Sequence, residues 1–138
     1  MSIEVIADPA PEHRAAIRAG LVAYNAAHVP DISTHAVAIA LRNDAGEIVG
    51  GLWAVLVFDW MIVELLFVPQ AMRGCDLGTR LLGEAETIAR DRGCIGLWLD
   101  TFSFQARGFY EKQGFICAGE IENHPRGAAR YFMKKRLD

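Results

Sequence analysis

The chain has 138 residues, of which 52% are hydrophobic, so it is long enough to fold around a substantial core. Its formal net charge is only −3, with 14 basic against 17 acidic residues, and this balance argues against nucleic-acid binding. The apolar run over residues 61–68 is too short to span a membrane and has the length of a buried strand.

Hydrophobic periodicity and turn residues predict elements in the order β-α-β-β-β-α-β-α-β-β. Pro11 suits the first turn of a helix, and Gly93 and Gly114 are typical of positions just past a helix end. A loop is predicted over residues 28–31, where the first helical pattern breaks. The predicted strands cover residues 3–6, 36–42, 48–57, 61–68, 95–101, 115–121 and 129–135, and the predicted helices cover residues 11–27, 77–92 and 104–113.

This order of elements predicts a mixed α/β or α+β sheet rather than a doubly wound one. Antiparallel strands joined by turns come first, and a single β-α-β unit follows that should pair in parallel with a right-handed crossover. We expect one domain over residues 1–138, because no linker or repeat divides the chain. The high apolar content favours a homodimer.

A strand, a glycine-bearing loop and an amphipathic helix follow one another between residues 61 and 92. The free N–H groups of a first helical turn and the helix dipole both favour a bound anion. The loop contains neither G-x-G-x-x-G nor Gly-Lys-Ser/Thr, so it is not a common nucleotide motif. Arg73, just ahead of the loop glycines, can hold a phosphate with two hydrogen bonds. We therefore predict an anion site, the alternative being an ordinary strand–loop–helix connection.

The sequence contains no pattern that is typical of a metal site or of a disulfide. The three cysteines form no C-x-x-C pair, and the histidines at positions 13, 28 and 35 show no ligand spacing, so no metal is expected. The N-terminal residues have neither the pattern of a signal peptide nor that of a transit peptide. A reducing, cytoplasmic location is therefore the expectation.

Two segments, separated by a predicted strand, resemble the GNAT acyl-CoA-dependent N-acyltransferases. LLFVPQAMRGCDLGTRLL is similar to that family's V-x-P turn and Q/R-x-x-G-x-G/A loop, and FQARGFYEKQGF is similar to its A-x-x-F-Y-E-K-x-G-F segment. The order of elements matches over nearly the whole chain. The resemblance implies a GNAT-like fold, with a mostly antiparallel twisted sheet flanked by helices and strands splayed for acyl-CoA. It also implies acetyl-CoA as co-substrate.

The resemblance carries several residue roles onto this chain. The strands that carry Val68 and Thr101 would part to admit the pantetheine arm, residues 73–79 would wrap the pyrophosphate, and Tyr110 would protonate the departing thiolate. The alternative for Tyr110 is a side chain merely packed on its helix. The implied cofactor-binding residues are Leu66, Phe67, Val68, Arg73, Gly74, Cys75, Asp76, Leu77, Gly78, Thr79, Ser103, Ala106 and Phe109.

Two residues depart from the family pattern. Asp76 stands where the family has a loop glycine, and its carboxylate would either repel a phosphate or cap the helix. Ser103 stands where an asparagine is common, and offers a shorter hydrogen-bonding group. These departures support an alternative function, that of a catalytically silent acyl-CoA-binding regulatory or structural homodimer.

Acyl transfer to an amine requires a base that removes the ammonium proton. Glu64, inside an apolar strand, is the leading candidate, because burial would make its carboxylate a stronger base. Asp100, at a strand end, is the second. The alternative for Glu64 is a carboxylate on a solvated face of the strand, and the alternative for Asp100 is a residue that forms the turn at the strand end. His124 lies in the last hairpin loop, where the family often meets its acceptor.

We therefore expect an acetyl-CoA-dependent N-acetyltransferase that acts on a primary amine of a small molecule or peptide. The amine would attack the thioester directly in a ternary complex, without a covalent enzyme intermediate. The sequence does not identify the acceptor.

Overall fold

The computed structural model describes residues 1–29 and 34–138, which fall into two units, Met1–Ser33 and Thr34–Asp138. The first unit contains helix α1 (Pro11–Asn25), with proline in its first turn as predicted and with no buried residue. The predicted strand over residues 3–6 is wrong. A strand needs a neighbour for its ladder hydrogen bonds, and this segment pairs with no strand in the described part of the chain. Of the predicted loop over residues 28–31, Pro30 and Asp31 lie outside the described residues.

The second unit is a six-stranded sheet in the order β1-β2-β3-β4-β6-β5. Only β3 and β4 are parallel, and the other neighbouring pairs are antiparallel, which confirms the predicted mixed sheet with a single parallel crossover. The elements are β1 (Thr34–Arg42), β2 (Ile48–Val57), β3 (Trp60–Phe67), α2 (Leu77–Asp91), β4 (Gly96–Phe102), α3 (Arg107–Lys112), β5 (Ile116–Glu122) and β6 (Ala129–Arg136).

Helix α2 covers one face of this sheet, and the two together form the core. Its buried side chains are Leu81, Leu82, Ala85 and Ala89. Helical spacing assigns these four, together with Leu77 and Ile88, to the apolar face. The four buried side chains belong to one cluster with alternate residues of the central strands, which point to the same side because side chains alternate along a strand. The strand residues in this cluster are Leu52, Ala54, Leu56, Met61, Val63, Leu97, Leu99 and Met133.

Helix α3 begins at Arg107, later than the predicted residue 104. The Gln105 side chain accepts hydrogen bonds from the Phe102 backbone N–H at 2.8 Å and from the Thr101 hydroxyl at 3.2 Å. These bonds hold the end of β4 in a turn, so the helix starts only after it. None of the helices in the described residues has the length and hydropathy needed to cross a membrane.

Candidate active site

The site lies where the two parallel strands part. Strands β3 and β4 pair only from Trp60 opposite Gly96 to Val63 opposite Leu99. Beyond this point β3 continues beside β2, and β4 continues beside β6. Each strand therefore turns an unpaired backbone edge toward the other, and unpaired peptide groups are strong hydrogen-bonding partners for a ligand.

A β-bulge lies at the same point of β3. Val63 is opposite Ala54 and Leu65 is opposite Trp53, so Glu64 is the extra residue with no partner on β2. A bulge locally bends a strand and redirects its side chains. The bulge coincides here with the last paired residues of β3 and β4. The bulge and the end of the β3–β4 pairing together open the sheet.

A cavity of about 910 Å³ occupies the opening and extends to the first turns of both helices. Its walls combine the two parted strand edges with the loop before α2 and one side of α3. The lining residues are residues 63–68, Arg73, Gly74, residues 76–79, residues 99–101, residues 104–106, Phe109, Tyr110, Lys112 and Gln113.

The first turn of α2 opens into this cavity with its N–H groups uncapped. Asp76, the residue before the helix, has φ 58° and ψ 22°, the left-handed conformation, and its side chain makes no capping hydrogen bond. The alternative in which the Asp76 carboxylate caps the helix is therefore wrong. Leu77, Gly78 and Thr79 have no carbonyl of an earlier turn to bind, so their N–H groups remain donors toward the cavity.

The two helix starts are packed tightly together. A Cβ atom on Gly78 would lie 3.1 Å from the Phe109 ring, closer than most real contacts, so only glycine fits without a shift. Gln113, the residue just after α3, donates from Nε2 to the Thr79 hydroxyl at 3.2 Å. Arg73 donates from Nε to the Val68 carbonyl at 3.1 Å, which ties the loop to the end of β3 and leaves the terminal guanidinium nitrogens free to bind an anion.

Tyr110 of α3 lies deep in the cavity wall, with 9% of its surface exposed. Its ring makes edge contacts with Phe109 and Phe115. No described residue forms a hydrogen bond with the Tyr110 hydroxyl. Its oxygen is not among the fully buried polar atoms without a partner, so the hydroxyl is exposed to the cavity. Burial and, secondarily, the charge of Asp100 raise the pKa of Tyr110, which keeps the hydroxyl protonated at neutral pH.

The two candidate bases have different surroundings. Glu64 is exposed, so the expectation of a buried carboxylate is wrong, although Glu64 does line the cavity. Asp100 is half-buried and accepts hydrogen bonds from Arg130 on both oxygens, each at 2.9 Å. Both oxygens of Asp100 are therefore occupied by a bidentate ion pair, whereas, within the described part of the chain, those of Glu64 are not.

Arg130 also connects Asp100 to the last hairpin. Its guanidinium lies over the rings of Phe102 and Phe132, at 5.5 and 5.4 Å from their centroids. Its Nη1 is 3.2 Å from Nε2 of His124, and since a guanidinium only donates, this ring nitrogen must be the acceptor. His124 thus belongs to a network with Asp100, although it does not line the cavity itself.

Most of the residues assigned from sequence meet at the cavity, and three do not. Cys75 is an exposed loop residue outside its lining. The Ser103 hydroxyl accepts from the Ala129 N–H at 3.0 Å, and the Ser103 N–H donates to the Ala129 carbonyl at 2.8 Å, so this side chain fastens β4 to β6. His124 is the third. The residues Gln105, Gln113 and Arg130 were missed. The contacts of Gln113 and Arg130 are with residues distant in sequence, and no motif marks the local turn that Gln105 makes with Thr101 and Phe102.

The geometry can be set beside known proteins. A family model described as the acetyltransferase (GNAT) family matches residues 5–115. The chain belongs to this family. It is 39% identical to Acetyltransferase Atu2258 of Agrobacterium fabrum over 91% of this chain and 92% of that protein. It is 40% identical to the Blasticidin-S acetyltransferase of Streptomyces morookaense over 69% of this chain and 71% of that one. This GNAT protein is therefore an enzyme of the N-acyltransferase class.

Solved structures share the fold. A crystal structure of an Agrobacterium tumefaciens protein matches with a TM-score of 0.93 and 36% identity over 99% of this chain and 100% of that one. An aminoglycoside 6'-N-acetyltransferase, solved in complex with coenzyme A, matches with a TM-score of 0.66 over 73% of this chain and 72% of that one. At 21% identity, the second likeness shows the GNAT fold alone.

Proposed function

We propose that this GNAT protein transfers an acetyl group from acetyl-CoA to the primary amine of a small molecule, by direct attack in a ternary complex. The observation that carries the proposal is the parting of β3 and β4 after Val63 and Leu99, over a cavity that joins an uncapped helix start to Tyr110 and Glu64. The Blasticidin-S acetyltransferase relative supports a small-molecule acceptor rather than a peptide.

The residues fit an acyl-CoA thioester as co-substrate. Residues 66–68 have a free backbone edge for the amides of an extended arm, in the manner of an added strand. The N–H groups of residues 77–79 and the Arg73 guanidinium are donors for a diphosphate. Ala106 and Phe109 lie between these two regions on the α3 side of the cavity. When bound, the thioester supplies the activated acyl group.

The chain's own groups supply the remaining chemistry. Glu64, exposed at the cavity, accepts a proton from the incoming ammonium, directly or through water. Unpaired N–H groups of β3 beyond the bulge can donate to the developing oxyanion of the carbonyl. Tyr110, kept protonated, gives its proton to the departing thiolate. Asp100, bound to Arg130, is the less suitable base.

Initial rates of thiol release from acetyl-CoA, with a panel of primary amines, test this proposal. We expect Glu64→Gln to lower kcat by about 10²-fold at neutral pH, the low end of general-base effects, with acetyl-CoA affinity unchanged. Glu120→Gln, a matched change at an exposed position of β5, should have wild-type rates. Full turnover by Glu64→Gln would remove the assignment of the base. Binding of CoA without turnover on any amine would support the silent alternative.

The order of steps is tested separately. A ternary complex predicts intersecting double-reciprocal plots when both substrates are varied. Parallel plots would indicate an acyl-enzyme, in which case Cys75, a free thiol in the loop before α2, is the residue to substitute first. The homodimer, the single domain and the cytoplasmic location stay predictions.

A further inference from the structure

A second cavity lies on the sheet face opposite α2. Its volume is about 510 Å³, and its walls are almost entirely apolar. The residues that matter for its chemistry are Phe58, Trp60, Ile62, Trp98, Phe132 and Lys134. We call this cavity the apolar groove.

Strand geometry places the apolar groove beside the reacting groups. Trp98 and Asp100 are two residues apart on β4, so both point to the same face of the sheet. Trp98 is opposite Ile62 of β3, and Glu64, the bulged and exposed residue, follows Ile62 two positions later. Their neighbours Leu97, Leu99 and Thr101 on β4, and Met61 and Val63 on β3, are buried, whereas Leu65 beyond the bulge is exposed. Phe132 is directly opposite Asp100 in the β4–β6 register. The groove therefore adjoins the active-site cavity at Asp100, although the two cavities share no lining residue.

The distances along the strands suit a small ligand. A two-residue step along a regular strand is about 6.7 Å, so Trp60 to Ile62 spans roughly 7 Å, and Glu64, the bulged residue, follows two positions later. These spans match an amine that carries a hexyl chain or a phenylethyl group, with its nitrogen at Glu64 and its body in the groove.

Charge selects the same kind of ligand. Asp100 is neutralised by Arg130, whereas Glu64 has no ion-pair or hydrogen-bond partner within residues 1–29 and 34–138. At the mouth of the groove, the unpaired charge is therefore negative. Lys134 lines the groove and is opposite Trp98, which is itself opposite Ile62, so a positive charge lies two positions along the strands from the level of Glu64.

We propose that the apolar groove holds the body of the acceptor, and that the acceptor is a monoamine with an alkyl or arylalkyl substituent. This inference rests on the proposed function. A polyhydroxylated acceptor would place unpaired hydroxyls against Ile62, Trp98 and Phe132, which is costly. A diamine would bring its second ammonium toward Lys134.

Four acceptors test the proposal with the full-length protein and acetyl-CoA: ethylamine, hexylamine, 2-phenylethylamine and 1,6-diaminohexane. We expect kcat/KM for hexylamine and 2-phenylethylamine to exceed that for ethylamine by at least about tenfold, since each buried methylene favours binding by about fourfold. The diamine should fall at least about fivefold below hexylamine. Equal values across the four would overturn the inference and leave the proposed function intact, whereas no turnover on any amine would overturn the proposed function.

Two variants locate the effect. Phe58 lines the groove from an exposed turn at φ 55°, a conformation that asparagine tolerates, so Phe58→Asn should fold normally. We expect Phe58→Asn to lower the hexylamine preference severalfold while ethylamine turnover is unchanged. Trp53→Ala, on the same sheet face but outside the groove lining, is the matched control and should keep the preference. Equal preferences in Phe58→Asn and wild type would count against the groove.

Intrinsic fluorescence gives a readout that does not depend on turnover, because Trp60 and Trp98 both line the groove. Hexylamine should change their emission in the wild type at concentrations where ethylamine does not. If instead the emission changes only with protein concentration, and the mass in solution doubles with it, the groove is an interface between two copies and the inference is wrong.

Discussion

Replacement of Asp76 tests how the loop before α2 meets a diphosphate. Asp76 places a carboxylate beside the free N–H groups of residues 77–79, in a left-handed conformation that glycine adopts without cost. Two substitutions separate charge from backbone. Asp76→Asn removes the charge and keeps a side chain that tolerates this conformation, whereas Asp76→Gly removes both the charge and the side chain.

The size of the effect follows from the exposure of the loop. Two unit charges at about 4 Å repel by about 1 kcal/mol in bulk water and by about 4 kcal/mol at an effective dielectric of 20. Asp76 is exposed, so the lower figure applies. We expect Asp76→Asn to lower the Kd for CoA by about fivefold, and Asp76→Gly to lower it by a similar or slightly larger factor.

Calorimetric titration with CoA at low and high salt measures this. Because exposed charges are screened, the gain from Asp76→Asn should shrink as ionic strength rises. Asp91→Asn, at the last residue of α2, removes the same charge about 20 Å along the helix from the loop and should leave the Kd unchanged. Unchanged or weaker affinity in Asp76→Asn would refute the repulsion argument, and a gain that appears only in Asp76→Gly would assign the effect to the backbone.

Three further predictions concern the acid, the sheet and an ion-pair cluster. Tyr110→Phe should lower kcat by about 10²-fold without changing acetyl-CoA affinity, as measured by thiol release and calorimetry. Gly96→Ala should destabilise the fold by about 3 kcal/mol in urea titrations, because the added Cβ would lie 2.5 Å from the Lys135 carbonyl oxygen. Gly83→Ala is the control. Its Cβ would have nothing within 4 Å, so this change should stabilise the helix by about 0.5–1 kcal/mol. Burial raises the pKa of Glu86, but hydrogen bonds from Lys135 and Arg90 outweigh burial, so the pKa of Glu86 is lowered overall. These ion pairs therefore stabilise the fold at pH values above the pKa that Glu86 has in the unfolded chain, and this stabilisation is lost in acid. Glu86→Gln should therefore lower Tm by about 2–4 °C at pH 7, with a difference that shrinks as the pH falls through and below the ordinary pKa of a glutamate.

The parts of the fold that the sequence predicts are those with strong local signals. The apolar stripe of α2 repeats at helical spacing, and the side chains that it assigns to the core are buried or half-buried. The parallel crossover follows from a strand–helix–strand order, which has few alternatives. The segment over residues 3–6 has an apolar pattern but no neighbour, and such a pattern alone does not make a strand.

The candidate site was predicted only where it consists of contiguous residues. The loop before α2 and the residues of α3 each come from one short segment of the chain. A sequence motif in such a segment therefore also identifies where its residues lie in the fold. The surroundings of Glu64 and Asp100 depend instead on the register of β3 with β2 and of β4 with β6. An apolar run around Glu64 suggested burial, but a bulge places its side chain in the open, and no local pattern reveals a bulge.

The ion pair between Asp100 and Arg130 explains how two carboxylates in one cavity can have different tasks. Arg130 contacts both Asp100 carboxylate oxygens, so neither of these oxygens is without a partner. The charge of Asp100 still acts on Tyr110, where with burial it raises the pKa and keeps the hydroxyl a proton donor. Among the residues that the structure describes, no cation pairs with Glu64, which is why Glu64 is the base that we propose. Loss of Arg130 would therefore impair the acid and the base together, because an unpaired Asp100 would compete with Glu64 for the ammonium and hold the Tyr110 proton more strongly.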